Sequence, residues 1–118
     1  MAELSLWVIS ANGMDLWNPS QRRGHLFLSG VKALEKYLGV GAGVADIESD
    51  EILVDTEALE RLVLNAVEHF DDPIFRQQAQ GVAALSLVLI RRDRTLLLPP
   101  DLFPLWKISE ELEKNMAR

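Results

Sequence analysis

The sequence contains no cysteine. That absence removes two classes of small protein at once, disulfide-stapled scaffolds and thiolate metal centres. Imidazoles are scarce too, with His25 and His69 the only two. Basic charge is in deficit: 12 Lys and Arg stand against 18 Asp and Glu, a net −6 at pH 7. A chain of that sign argues against binding nucleic acid through its phosphates. No apolar run approaches the about 20 residues that cross a bilayer. The N-terminal Met-Ala-Glu lacks a basic n-region, and Leu4–Ile9 is too short for the core of a signal peptide. The expectation is a cytoplasmic protein that does not engage membranes. Catalytic signatures are missing as well. There is no Gly-x-Ser-x-Gly elbow, and Ser29 and Ser86 sit at helical positions with no base paired to them in sequence. The run Gly39-Val-Gly-Ala-Gly43 has neither the lysine nor the strand–loop–helix setting of a phosphate loop. No cofactor is implied.

What is present is ordinary globular material, with 118 residues, 48% hydrophobic and 25% charged. Such a chain buries roughly two-thirds of its unfolded surface around one core, so residues 1–118 read as a single domain. The organising stretch is Gln78–Arg92. From Val82 to Ile90 only Ser86 is polar, and a helix apolar all round needs neighbours on most sides. A competing reading pairs Leu85–Ile90 with Thr95–Leu98 as a hairpin. The helix is preferred because Phe75, Ala79, Val82, Ala83 and Ser86 keep helical spacing.

The remaining elements read as cover for that helix. Leu4–Ala11 and Met14–Asn18 flank Asn12-Gly13, the signal of a two-residue type I′ hairpin. That register pairs Ala11 with Met14, Ile9 with Leu16 and Trp7 with Asn18. Ser20 is an N-cap for a helix to about Leu38, with Phe27, Val31, Leu34 and Leu38 on one stripe and Gly39 at its end. Gly24 and Gly30 in that helix suit a close approach by a neighbour. Val40–Asp50 reads as a loop, Glu51–Asp55 as a short third strand, and the next segment as a helix to Phe70. Asp72-Pro73 opens the central helix. Asp101 can cap a last helix with the stripe Leu102, Leu105, Trp106, Leu112 and Met116. The fold class expected is α+β and mostly helical, an N-terminal hairpin packed with four helices.

Charge is spread unevenly. Residues 46–72 hold ten acids against the one base Arg61, a net −9 that leaves +3 for the rest of the chain. Asp46, Glu48, Asp50 and Glu57 fall at positions one, three, five and twelve of a calcium loop. Glu51, however, occupies the place that needs glycine, and no helix precedes Asp46. An acidic rim on an edge strand, which deters pairing with other chains, or a surface for a basic partner fits better. Such fields steer association more than they add affinity. His69 with Asp71 and Asp72 could place a metal or an acid–base pair, but a surface histidine is the simpler reading. Trp7 and Trp106 suit the core, whereas Trp17 is as suited to an interface as to packing.

Several short motifs resemble one family. They are Leu16-Trp17-Asn18-Pro19-Ser20, Leu26-Phe27-Leu28, Leu38-Gly39-Val40, and Ser49-Asp50-Glu51 leading into Val54-Asp55. Together they resemble an uncharacterised family of small actinobacterial proteins, a domain of unknown function. The resemblance covers about residues 14–70 and implies a stable cytoplasmic domain with no activity to transfer.

The function expected is protein–protein interaction, as an accessory or immunity-type protein. Asp46, Glu48, Asp50, Glu51, Glu57 and Glu60, with Trp17, would meet a basic protein partner. Neither a catalytic nor a metal-binding residue is assigned. The alternative is a small-molecule binder or minor enzyme, with a cavity of roughly 300 Å³ or more between hairpin and helices. A homodimer through Trp17 or the last helix is the third possibility.

Overall fold

The computed structural model describes residues 5–48, 50–96 and 102–117, with residues 46–48 described by their backbone alone. Among these lie β1 (Trp7–Ser10), β2 (Asp15–Trp17), α1 (Gln21–Leu38), β3 (Val44–Glu48), β4 (Glu51–Val54), α2 (Thr56–Val67), α3 (Pro73–Asp93) and α4 (Phe103–Glu113). The class is mostly helical α+β, as expected. No helix among the described residues is long and apolar enough to cross a membrane.

Asn12 and Gly13 turn the chain by a longer route than a type I′ loop. Of the two only Gly13 takes a positive φ, at 87°, and among the described residues no non-glycine does. Ser10 exchanges backbone bonds with Met14 and Gly13, each at 2.9 Å. Its hydroxyl also accepts from the N–H groups of Asn12 at 3.2 Å and Met14 at 3.1 Å. This is the three-residue loop that ends in a left-handed glycine. Near the turn the register shifts by one, with Ile9 facing Asp15 rather than Leu16; beyond an irregularity Val8 faces Trp17, as in the expected register. Leu6, Val8, Leu16 and Trp17 all turn inward, whereas Trp7, expected in the core, is 40% exposed.

The third strand exists as β4, and a fourth was not expected. Val44–Glu48, read from sequence as part of a loop, forms β3 and pairs antiparallel with β4. The sheet order is β2-β1-β4-β3. β1 and β4 run parallel, from Trp7 opposite Glu51 to Ser10 opposite Val54. Parallel neighbours need a crossover, supplied here by the excursion through β2, α1 and β3. β3 is thereby left at one edge of the sheet, with β2 at the other.

Side-chain caps start α1 and α3 at Ser20 and Asp72, as expected, and α2 at Asp55, which in sequence reads only as the end of a strand. Ser20 Oγ accepts from Arg23 N at 3.3 Å. Asp55 Oδ1 accepts from Glu57 N at 3.1 Å and Ala58 N at 3.3 Å. Asp72 Oδ1 accepts from Ile74 N at 3.0 Å and Phe75 N at 3.3 Å, just before Pro73. Each cap is worth about 1 kcal/mol. Gly39 ends α1 at φ 68°. α2 stops at Val67 rather than Phe70, because its last turn tightens into bonds from His69 N to Ala66 O and from Phe70 N to Val67 O.

α3 is the axis of the fold, packed against α1, α2, α4 and β2. Ala84, Leu87, Val88, Leu89 and Ile90 are 0% exposed. Ser86 Oγ satisfies itself by donating to Val82 O at 2.8 Å, which removes the cost of a buried hydroxyl. Leu85–Ile90 is helical, so the hairpin alternative fails there; Leu97 and Leu98 lie outside the described residues. The expected Asp101 cap lies outside them as well. α4 buries Leu105, and the flanking Leu102 and Met116 are also in the core.

Candidate interaction surfaces

The acidic segment is strung along the sheet edge rather than gathered at one point. Asp46 and Glu48 stand on the edge strand β3, their side chains outside those described. Asp50 is exposed at the turn, Glu51 is partly buried on β4, and Glu57 is exposed in the first turn of α2. Asp50 precedes β4 and Glu57 follows it, so about 13 Å of extended chain separates them. An extended strand through this segment cannot wrap a calcium ion. Glu60 is occupied, since Arg94 Nη2 lies 2.9 Å from its Oε1. Asp55 and Asp72 are spent on caps. Asp50 and Glu57 carry no ion pair among the described residues. Trp17 is 5% exposed and meets the Phe27 ring edge-on, with centroids 6.1 Å apart.

A second set of polar groups ties elements together. Thr56 Oγ1 donates to Asp93 Oδ2 at 2.6 Å, and Asn12 Nδ2 reaches the same oxygen at 3.4 Å. The hairpin turn, the start of α2 and the end of α3 meet there. Arg92, whose side chain is 6% exposed, donates to Leu16 O at 2.7 Å and Met116 O at 2.6 Å, and its Nε lies 3.1 Å from Glu113 Oε2. Arg91 Nη2 takes the other oxygen of Glu113 at 2.6 Å, with its guanidinium 4.5 Å above the Trp106 ring. The chain end is further held by Asn18 N donating to Ala117 O at 2.8 Å. His69 is exposed and packs edge-on against Phe75 at 5.9 Å. Among the described residues no three His, Asp or Glu side chains gather to hold a metal.

The third feature was not foreseen. An open trough runs between α1 and α3, which lie antiparallel: Gly30 meets Val82, and the Tyr37 ring stacks on Phe75 at 4.8 Å. Its middle section encloses about 480 Å³ between Trp17, Leu26, Phe27, Val82 and Leu85. A section of about 250 Å³ continues it towards Tyr37 and Phe75, sharing Gly30, Gln78 and Val82. Another of about 310 Å³ continues it towards Leu112 and Met116, sharing Trp17, Arg23 and Leu85. Leu26 projects from the rim, 74% exposed. The trough clears the roughly 300 Å³ of a ligand site, but its open side does not enclose a small molecule as such sites do. Two glycines were the signal available in sequence. Gly30 lets Val82 in, and Gly81 faces open space.

No curated protein and no solved structure matches the chain. A family model does match, over residues 6–118, well beyond the stretch of about residues 14–70 that carries the motif resemblance. The chain belongs to that family, described as a family of unknown function (DUF6086).

Proposed function

We propose that the chain is a protein-interaction module, an accessory or immunity-type protein whose acidic edge meets a basic partner. The observation that carries this reading is the outer side of the molecule from β3 to the first turn of α2. Asp50 and Glu57 are exposed there with no cation paired to them among the described residues. Asp46 and Glu48 on β3 would extend the same edge. The net −9 of residues 46–72 supplies the long-range attraction, which acts chiefly on the rate of encounter. Trp17 lies away from this edge, 5% exposed on β2 at the other side of the sheet. A cytoplasmic, actinobacterial setting belongs to the same proposal, on the strength of the Leu16–Ser20 motif.

The test is a triple reversal, Glu48→Lys, Asp50→Lys and Glu57→Lys, with co-purification from the source cell as readout. The partner should be lost while the melting temperature stays within a degree or two. Full recovery of the partner would defeat the proposal. Glu60→Lys serves as a contrast, because it also breaks the Arg94 pair and should lower the melting temperature.

A further inference from the structure

We propose that the α1–α3 trough is the docking groove for one amphipathic helix of a partner protein, apolar along one stripe and acidic at its C-terminal turn. Shape comes first. From Arg23 to Tyr37 the groove follows fourteen residues of α1, about 21 Å, the length of four helical turns. It is open along its length, apolar inside, and floored by Gly30 and Val82 with Gly81 at its margin. An amphipathic helix fills such a groove by inserting a stripe of side chains. A second copy would bring a groove to a groove, with only Leu26 and Tyr37 projecting from the trough among the described residues.

Charge gives the occupant its polarity. Among the described residues Arg23 is the one charged residue lining the trough, and Arg22 flanks it. Both are exposed, and neither side chain has an ion pair or hydrogen bond among the described residues. The far end, at Phe75, adjoins the exposed Asp71 and Asp72. A helix lying parallel to α3 places its negative C-terminal end on the arginines and its positive N-terminal end by the aspartates. Acids in the last turn add to that match. This surface is separate from the acidic edge, so the two proposals stand or fall independently.

The experiment is a selection from a displayed library of sixteen-residue helical peptides, using the intact chain as bait. Enriched sequences should carry apolar residues at helical spacing and acids in the last turn. Gly81→Leu fits the open space beside α3 and favours helix, so it should keep the melting temperature while weakening the selected peptides at least tenfold. Arg23→Glu should reverse the acidic preference. The Asp50→Lys, Glu57→Lys variant should bind them as the parent does, whatever becomes of the basic partner. No enrichment, or peptides that bind the Gly81→Leu variant equally well, would overturn the proposal. So would a concentration-dependent dimer abolished by Gly81→Leu, which gives the groove to a second copy. Saturable uptake of dodecanoate without peptide enrichment would assign it to a small amphiphile instead.

Discussion

At the scale of single residues, two glycines of the same trough make opposite predictions. A Cβ on Gly30 would fall 2.7 Å from Val82 Cγ2, and a β-branched side chain in a helix has little rotamer freedom to retreat. Gly30→Ala should therefore cost about 1–3 kcal/mol of overpacking, only partly offset by helix propensity. Gly81 has nothing within 4 Å of the same position. Gly81→Ala should instead gain about 0.5–1 kcal/mol. Urea midpoints of the two variants should move in opposite directions. Arg92 is the costliest polar residue to remove, because it satisfies two carbonyls and half of Glu113 at once. Arg92→Met should lose roughly 2–5 kcal/mol through the orphaned acceptors. Glu113→Gln should lose less, since Glu113 is 37% exposed and its amide can still accept. Unequal urea midpoints in that order check the assignment.

At the scale of elements, the join between α1 and β3 depends on one carboxylate. Glu35 Oε2 accepts from Ala42 N at 3.1 Å, and Lys32 Nζ lies 3.1 Å from Oε1. Burial works against the charge of Glu35, but the Ala42 N–H and the Lys32 ammonium outweigh it and hold its pKa below the usual 4.5. A folded-state pKa below the unfolded value means stability present above the unfolded pKa and lost as pH falls through the folded one. Glu35→Gln should thus be less stable than the parent at pH 7. The difference should shrink as pH drops below about 4.5, where the parent also becomes neutral at this position. Urea midpoints at pH 7 and about pH 3 test the sign; a constant difference would refute it. β3 shows why an element can be invisible in sequence. Ala45 and Asp46 give it no alternating apolar pattern, and it is a strand because β4 offers an edge and Asp55 N bonds Gly43 O at 2.8 Å.

At the scale of the molecule, one hydrophobic cluster includes residues from the sheet and all four helices. We expect residues 1–118 to unfold as a single cooperative unit, with calorimetric and van't Hoff enthalpies equal. Two resolved transitions would divide the chain. The charge of the whole, −6 at pH 7, should make association with a basic partner slower as salt rises, with dissociation little changed. Stopped-flow rates over a salt series read this directly.

The sequence by itself determined the features that depend on neighbours along the chain. Ser20 and Asp72 set helix starts because a cap needs only the next two or three N–H groups. The apolar run around Leu87 demanded burial because no face was left for water. Tertiary structure decided what depends on residues far apart. The Ser10 hydroxyl and the facing strands displaced the Asn12-Gly13 hairpin from its simplest register. Long-range pairing put β4 beside β1 and left β3 at one edge. Arg92, in sequence only the last residue of the stretch Gln78–Arg92, became the tie between β2, α3 and the chain end. The trough was settled in the same way: where α1 and α3 touch, and where they part, follows from Gly30 meeting Val82 across 52 positions of sequence, and local propensity carries no information at that distance.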